Sequence, residues 1–533
     1  MTMFQHINTK STFATSAMVT SPHTAASAEG LKILKQGGNA IEAAIAIASM
    51  LSVTYPHFNG LGGDAFMVLS NKDGDVHTIS GIGQAFEKLN NFKDKIPTRG
   101  INSAITTACT VDTWGKAYEF SASNWGNHFA WQELLQPALD AAYNGIELTQ
   151  SQSYWYQYRA QEMNDWPGFQ AVFSNQQKPF LAGERFKQIQ LGQTLEHLAQ
   201  YGARSFYEGE LATRLVEGLQ QLGSTISPND LKRTHARIEQ PLKTLYRDGV
   251  LCGLQPPTQG VTTLQIMGIL EQFPLNHIAA ENSAAYYHLI VEAIKQAFLD
   301  RNQYVADPDF YHFDIEKLLN ENYLKEKSKN ISLNNALEWN EIYQHGDTVY
   351  IGVVDSYGNC VSMLQTIYYD WGSGVMAGDT GVLWHNRGAS FSLNQKHPNS
   401  LAPFKRPFHT LNPGIYLKNN QPFLLYGTQG ADGQPQTLAT ILTRLIDYQN
   451  LPYEALAKPR FLLGKTFSNS QDTLKLENDI GADIVQKLTQ MGHEIDIIDA
   501  QSPLAGQPGV IQITQDGLYG AHDPRSDGIA LGF

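Results

Sequence analysis

The chain has 533 residues, 42% of them hydrophobic and 11% aromatic, which is ample material for a large core. Its formal charge of −13 speaks against the clustered cations that phosphate binding needs, so no nucleic-acid partner is expected. The most apolar run, Ile41 to Val53, is too short and too alanine-rich to cross a bilayer, so no membrane partner is expected either.

Three cysteines, Cys109, Cys252 and Cys360, are widely spaced, match no metal pattern and read as buried free thiols in a reducing compartment. Met1 to Ser16 is polar and mixed, without the apolar centre of a secretory signal, which makes a cytoplasmic location the expectation.

Along the chain, Leu31, Ile33 and Leu34 predict an amphipathic helix that Gly37 or Gly38 ends in a left-handed conformation. Asn39 then caps a second helix, rich in Ala and Ile, that stops before Pro56. Alanine on nearly every face of it predicts close packing all round. Gly60, Gly62 and Gly63 form a loop that runs into a strand. Lacking both the preceding strand of a dinucleotide fingerprint and the lysine of a P-loop, it reads as backbone kept small for a site or for tight packing.

Residues 110–330 have mostly helical patterning, with two amphipathic helices around Gly202-Ala203-Arg204 and a long helix from Ala284 that ends ahead of Asp307-Pro308. A strand-like piece, TLYRDGVLCGLQPPTQG, lies between them. Ser328 to His345 is polar and asparagine-rich and reads as an exposed, mobile connector. Asp347 to Gln365 changes character at once: two β-branched and aromatic runs flank Asp-Ser-Tyr-Gly-Asn, which predicts a hairpin. Glycine-rich segments, a helix near Thr437 to Tyr448 and short strands complete a layered α+β body without internal repeats.

Sixteen histidines make a Ser-His-Asp triad conceivable, but no Gly-x-Ser-x-Gly elbow supports one. His-Glu-x-x-His is absent, so neither metal nor cofactor is expected. The junction before the hairpin offers different chemistry. Thr348 begins a strand just after an exposed loop. If that loop were cut, the new α-amine, with an ordinary pKa of about 8, would be a general base for the residue's own hydroxyl. Strand-initial threonines are common, and spacing alone does not single this one out.

Several ordered blocks do. AASAEGLKILKQGGNAIEAAIA, NGLGGDAFM, LYRDGVLCGLQPPTQG, VEAIKQAFLDRNQYVADPDF, DTVYIGVVDSYGNCVSMLQT, KRPFHTLNP and YGAHDPRSDG together resemble the γ-glutamyltranspeptidase family over nearly the whole length. The resemblance implies a four-layer αββα N-terminal-nucleophile hydrolase. It implies self-cleavage between Asp347 and Thr348 into a large subunit, residues 1–347, and a small subunit, residues 348–533. Thr348 would be the nucleophile in both self-cleavage and turnover. Thr366 matches the threonine that hydrogen-bonds the nucleophile's terminus, and Gly430 and Ala431 match the pair whose backbone N–H groups form the oxyanion hole. Alanine at the second place departs from the pattern, and a backbone donor tolerates it unless positive φ is required. A homodimer of processed heterodimers is compatible with this pattern.

Departures narrow the substrate. Ile82 stands where the family places a carboxylate-binding arginine, and an apolar side chain cannot replace that clamp. Tyr368 replaces a substrate-binding asparagine, Ser390 the acid that holds the ammonium, and His409-Thr410 a serine pair. Arg387 replaces a neutral glutamine and, with neighbouring Asn386, adds a cation to the candidate substrate-binding set. These changes resemble the oxamate-hydrolysing subgroup and imply a small amide bearing a carboxylate and no amine. The alternatives are a γ-glutamyltransferase or glutathione hydrolase with a rebuilt pocket, an acylase for dicarboxylic amides of the cephalosporin type, and an uncleaved binding relative without activity.

Overall fold

Period-two alternation in adjoining strands sets the layering. In the computed structural model, which describes residues 10–166, 168–175, 178–339, 347–465 and 472–533, Val349, Ile351 and Val353 point into a core shared with helices. Tyr350 and Val354, between them, point into a core shared with another sheet. A strand buried on both faces reads as a near-continuous apolar run, as this one does.

Two seven-stranded sheets result. The first has Asp347–Val354 and Cys360–Tyr368 at its centre, flanked by Met18–Ser21 on one side and Asp64–Ser70 on the other. The second has Gln421–Gln429 at its centre, between Gly414–Lys418 and Gln507–Thr514. The sheets face one another across an apolar layer that includes Phe66, Leu364, Ile415 and Leu425. Helices Thr24–Lys35, Ala40–Thr54 and Thr110–Asn124 cover the outer face of the first sheet. Helices Gly260–Leu270, Ala284–Tyr304 and Gln434–Ile446 cover that of the second. The order is therefore αββα.

Local signals match the early elements. Gly37 ends the first helix at φ +91°, and Asn39 caps the second with Glu42 answering in a capping box. Every residue of that alanine-rich helix is buried. All three cysteines are buried and unpaired. Among the described residues no helix is long and apolar enough to cross a membrane.

The connector differs from expectation. Ser328 belongs to the helix Glu321–Lys329, and the backbone that follows is tied down. Ala336 N donates to Met491 O (2.7 Å), Leu337 N donates to Glu292 Oε2 (3.0 Å), and Lys295 Nζ donates to Leu337 O (2.6 Å). Buried charged groups on the long helix Ala284–Tyr304 capture a segment whose composition alone suggests freedom. Residues 340–346, and Met1 to Thr9 of the N-terminal reading, lie outside the described residues.

Candidate active site

Thr348 occupies an irregularity in the first sheet. Asp347 pairs with Tyr368 and Val349 with Gln365, so Thr366 and Ile367 together oppose the single residue Thr348. This bulge sits at the peptide bond expected to break. Alternation puts Thr348 on the same face as Tyr350, toward the second sheet, and it is 2% exposed.

Thr366 does not meet a chain terminus in this uncut chain. Its hydroxyl donates a short hydrogen bond to the carbonyl oxygen of Asp347. Thr366 Oγ1 in turn accepts from Tyr368 N at 2.7 Å, which leaves the hydroxyl proton for the carbonyl. Gly63 lets the glycine loop reach this point, because a Cβ there would lie 2.0 Å from Thr366 O.

Gly430 and Ala431 follow the central strand of the second sheet and precede the helix Gln434–Ile446. Ala431 has φ +45°, the condition under which alanine is not a neutral replacement. A left-handed alanine costs roughly 1 kcal/mol. Gln259 bridges this turn to its neighbour: its Nε2 donates to both Ala431 O and Thr410 O at 2.7 Å. Arg301 Nη1 holds Gln259 Oε1 and Asp432 Oδ1, each at 3.1 Å.

Arg387 begins a short 3-10 turn and is fully buried. Its guanidinium carbon lies 3.5 Å from the centre of the Tyr368 ring. Among the described residues its single hydrogen bond is a long one, Nη2 to Thr410 Oγ1 at 3.5 Å. Nε and Nη1 have no hydrogen-bond partner among the described residues. Tyr368 itself adopts φ +80°, rare for an aromatic residue and costing of order 1–3 kcal/mol. Its backbone pairs with Asp347 and its ring carries Arg387, so it ties the bulge to the cation.

Other sequence candidates have structural partners. Asn386 is committed to backbone: Oδ1 accepts from Tyr369 N (3.1 Å) and Nδ2 donates to Thr98 O (2.7 Å). Ser390 Oγ donates to Phe408 O at 3.2 Å. Ile82 lies in the apolar layer between the sheets. His409 Nε2 lies 3.3 Å from Asp64 Oδ2, with His385 Nδ1 3.4 Å from the same oxygen. Burial, reinforced by nearby Arg387, pushes His409 down to about 3, so the ring is neutral. Burial alone would raise Asp64; His385 and His409 outweigh it and hold the carboxyl well below the usual range.

Sequence reasoning passed over Asp64, Gln259, Arg301 and Asp432. Each is a buried polar residue whose importance lies in partners far away in the chain. It also passed over a grouping of His288, Glu292 and His493, whose ligand-type atoms lie within 4.8 Å of one another. Those atoms are already engaged: His288 Nδ1 with His493 Nε2 (2.8 Å) and Glu292 Oε1 with Lys295 Nζ (2.8 Å).

The family model for gamma-glutamyltranspeptidase matches residues 26–533. The chain is 40% identical to an oxamate amidohydrolase proenzyme of Klebsiella pneumoniae over 98% of this chain and 99% of that one. A glutathione hydrolase-like proenzyme of Bacillus subtilis is 38% identical over the same shares, 98% and 99%. Among solved structures, a cephalosporin acylase from Bacillus halodurans superposes with a TM-score of 0.90 at 30% identity, covering 99% of this chain and 97% of that one.

Proposed function

The chain belongs to the gamma-glutamyltranspeptidase family and is an amide-bond hydrolase, and from that premise we propose that it is cut before Thr348 and that the freed threonine hydrolyses oxamate to oxalate and ammonia. The observation that carries the substrate is Arg387, a fully buried guanidinium with two nitrogens lacking a hydrogen-bond partner among the described residues. A buried charge without a counter-charge costs several kcal/mol, and a ligand carboxylate would offset that cost through paired, charge-assisted bonds.

Oxamate carries its carboxylate directly on the amide carbon, which suits a cation linked through Tyr368 to the bulge at Thr348. In this reading the Thr348 amine takes the hydroxyl proton as Oγ attacks the amide carbon. Gly430 and Ala431 N–H groups hold the oxyanion, donors worth about 3–4 kcal/mol each in comparable sites. The amine returns its proton to the departing ammonia, and water then opens the threonyl ester to release oxalate. Tyr368 supports Arg387 from beneath by cation–π contact.

Two carboxylates act on Arg387, Asp64 and Asp432, and both are engaged, by His409 and Arg301. Neither is placed to receive the ammonium of a γ-glutamyl group, which supports a substrate without an amine. The Klebsiella relative's name adds to the same reading, whereas the acylase superposition favours a dicarboxylic amide as the second reading. Ammonia release from oxamate, compared with cleavage of a glutaryl amide and of glutathione, separates the three. Oxamate turnover at least tenfold faster is expected; preferential glutathione cleavage would overturn the assignment.

A further inference from the structure

Successive side chains of a strand point to opposite faces, so Tyr368, the last residue of the strand Cys360–Tyr368, and Tyr369 after it are expected to part. They do not. The φ of +80° at Tyr368 turns the chain, and the two rings meet with centroids 4.5 Å apart and planes inclined at 44°. Packing two aromatic rings in a core needs no such strain. Left-handed backbone at a bulky residue persists where the surrounding structure holds it, and it collects at functional sites.

Resting on the reading of Arg387 as the clamp for the oxamate carboxylate, we propose that Tyr369 is a positioning residue for that clamp, acting through Tyr368. Among the described residues the Arg387 guanidinium has one long hydrogen bond to orient it, and the Tyr368 ring centre lies 3.5 Å from its carbon. A cation seated on a ring goes where the ring goes. Tyr369 packs against that ring and limits its rotation. Asn386, the residue before Arg387, fixes the same register through the backbone, because its Oδ1 accepts from Tyr369 N at 3.1 Å. The clamp and its support are thus tied at two points.

Tyr369 is itself held. The guanidinium carbon of Arg99 lies 5.8 Å from the Tyr369 ring centre and 5.2 Å from that of Trp166. Arg99 Nη1 donates to the backbone carbonyl oxygens of Asp370 and Gly372, and Gly372 N donates to Tyr369 O at 2.8 Å. The Asp370 carboxylate accepts from Arg99 Nη2 (3.3 Å) and from Arg159 Nε (2.6 Å) and Nη2 (2.9 Å). Arg159 belongs to the helix Gln150–Met163, so the row Arg387, Tyr368, Tyr369, Arg99 is anchored to a helix at one end. The two cations differ as their roles require. Arg99 is committed to structure, whereas Arg387 keeps two nitrogens without a hydrogen-bond partner among the described residues. A row fixed at one end stiffens the other, which places the clamp before the ligand arrives and spares the cost of ordering it on binding.

The test compares wild type, Tyr369→Met and Tyr369→Phe, each produced as the full chain, by oxamate kinetics, oxalate calorimetry and thermal melting. Methionine fills much of the volume without a ring; phenylalanine keeps the ring and loses the hydroxyl. Tyr369→Met is expected to raise the oxamate KM and the oxalate Kd about tenfold each, a change of about 1.4 kcal/mol. Its kcat should stay within about threefold, because carboxylate binding is weakened equally in the ground and transition states. Tyr369→Phe should stay within about threefold of wild type in KM, Kd and kcat, because the ring pair remains. Both variants should be cut at Thr348 and melt close to wild type. Oxalate binding by Tyr369→Met at wild-type strength, a fall in kcat at unchanged KM, or equal damage in Tyr369→Phe overturns the positioning role. So does a Tyr369→Met chain that stays uncut or melts far below wild type, which would assign the ring to the fold. A wild-type protein that neither turns over oxamate nor binds oxalate overturns instead the reading on which the proposal rests.

Discussion

Arg387 stores a cost that a ligand would relieve. Its guanidinium is desolvated and nearly unpaired, and burial lowers its pKa while Tyr368 and Asp64 act in the opposite direction. Arg387→Met removes the charge and keeps much of the volume. It should raise the stability of the ligand-free protein by about 1–3 kcal/mol and abolish measurable oxamate turnover, as thermal melting and ammonia release would record. Oxalate should raise the melting temperature of the wild type and leave that of the variant unchanged. A less stable Arg387→Met protein would mean that the guanidinium serves the fold. Ala431 makes a smaller case at the same scale. Ala431→Gly relieves the left-handed strain while keeping the backbone N–H, so turnover should stay within about threefold and stability should change by less than about 1 kcal/mol.

At the scale of elements, the glycine loop and the hairpin form one device. Gly63→Ala places a methyl carbon 2.0 Å from the carbonyl oxygen of Thr366, a backbone atom of a central strand that cannot step aside. The variant should lose about 3 kcal/mol or more of stability and cleave slowly, visible as an uncut band and a lower melting temperature. The hairpin, its turn and the Asn39 cap were legible because each rests on residues adjacent in the chain. The anchored backbone after Ser328 was not, because Glu292 and Lys295, which capture it, lie on a distant helix. The same holds for the site: Thr348, Thr366 and Arg387 stood out through the family pattern. Gln259 and Arg301, which link the turn at Ala431 to the one at Thr410, matter only through long-range hydrogen bonds. Asn386, read as a substrate contact, has both ends of its amide bonded to backbone.

For the whole molecule, the buried histidines set the response to acid. Burial lowers His23 and His522 to about 4 and His409 and His493 to about 3, from 6.5. Each binds its proton more readily in the unfolded chain, so its contribution is complete above pH 6.5 and is lost as pH falls toward the folded value. Asp527, raised by burial to about 6 from 3.8, has the opposite sign: its contribution is present below pH 3.8 and is lost as pH rises through about 6. Asp347, whose carboxyl burial also raises, acts with Asp527, but the four rings outweigh these two carboxyls, and Thr348→Ala protein should show a lower urea midpoint at pH 5.0 than at pH 7.5. An unchanged or higher midpoint at pH 5.0 would mean that these rings are charged in the folded state.

The four layers bring the start of one central strand against the end of another, and the account depends on the chain being opened at that place. N-terminal sequencing of the mature protein, joined to intact mass measurement, tests this most directly. The account predicts two chains, the smaller beginning Thr-Val-Tyr-Ile and containing 533 − 348 + 1 = 186 residues, and a Thr348→Ala protein that stays whole. A wild-type protein that remains one chain of 59.2 kDa while releasing ammonia from oxamate, or one opened at another bond, would contradict it.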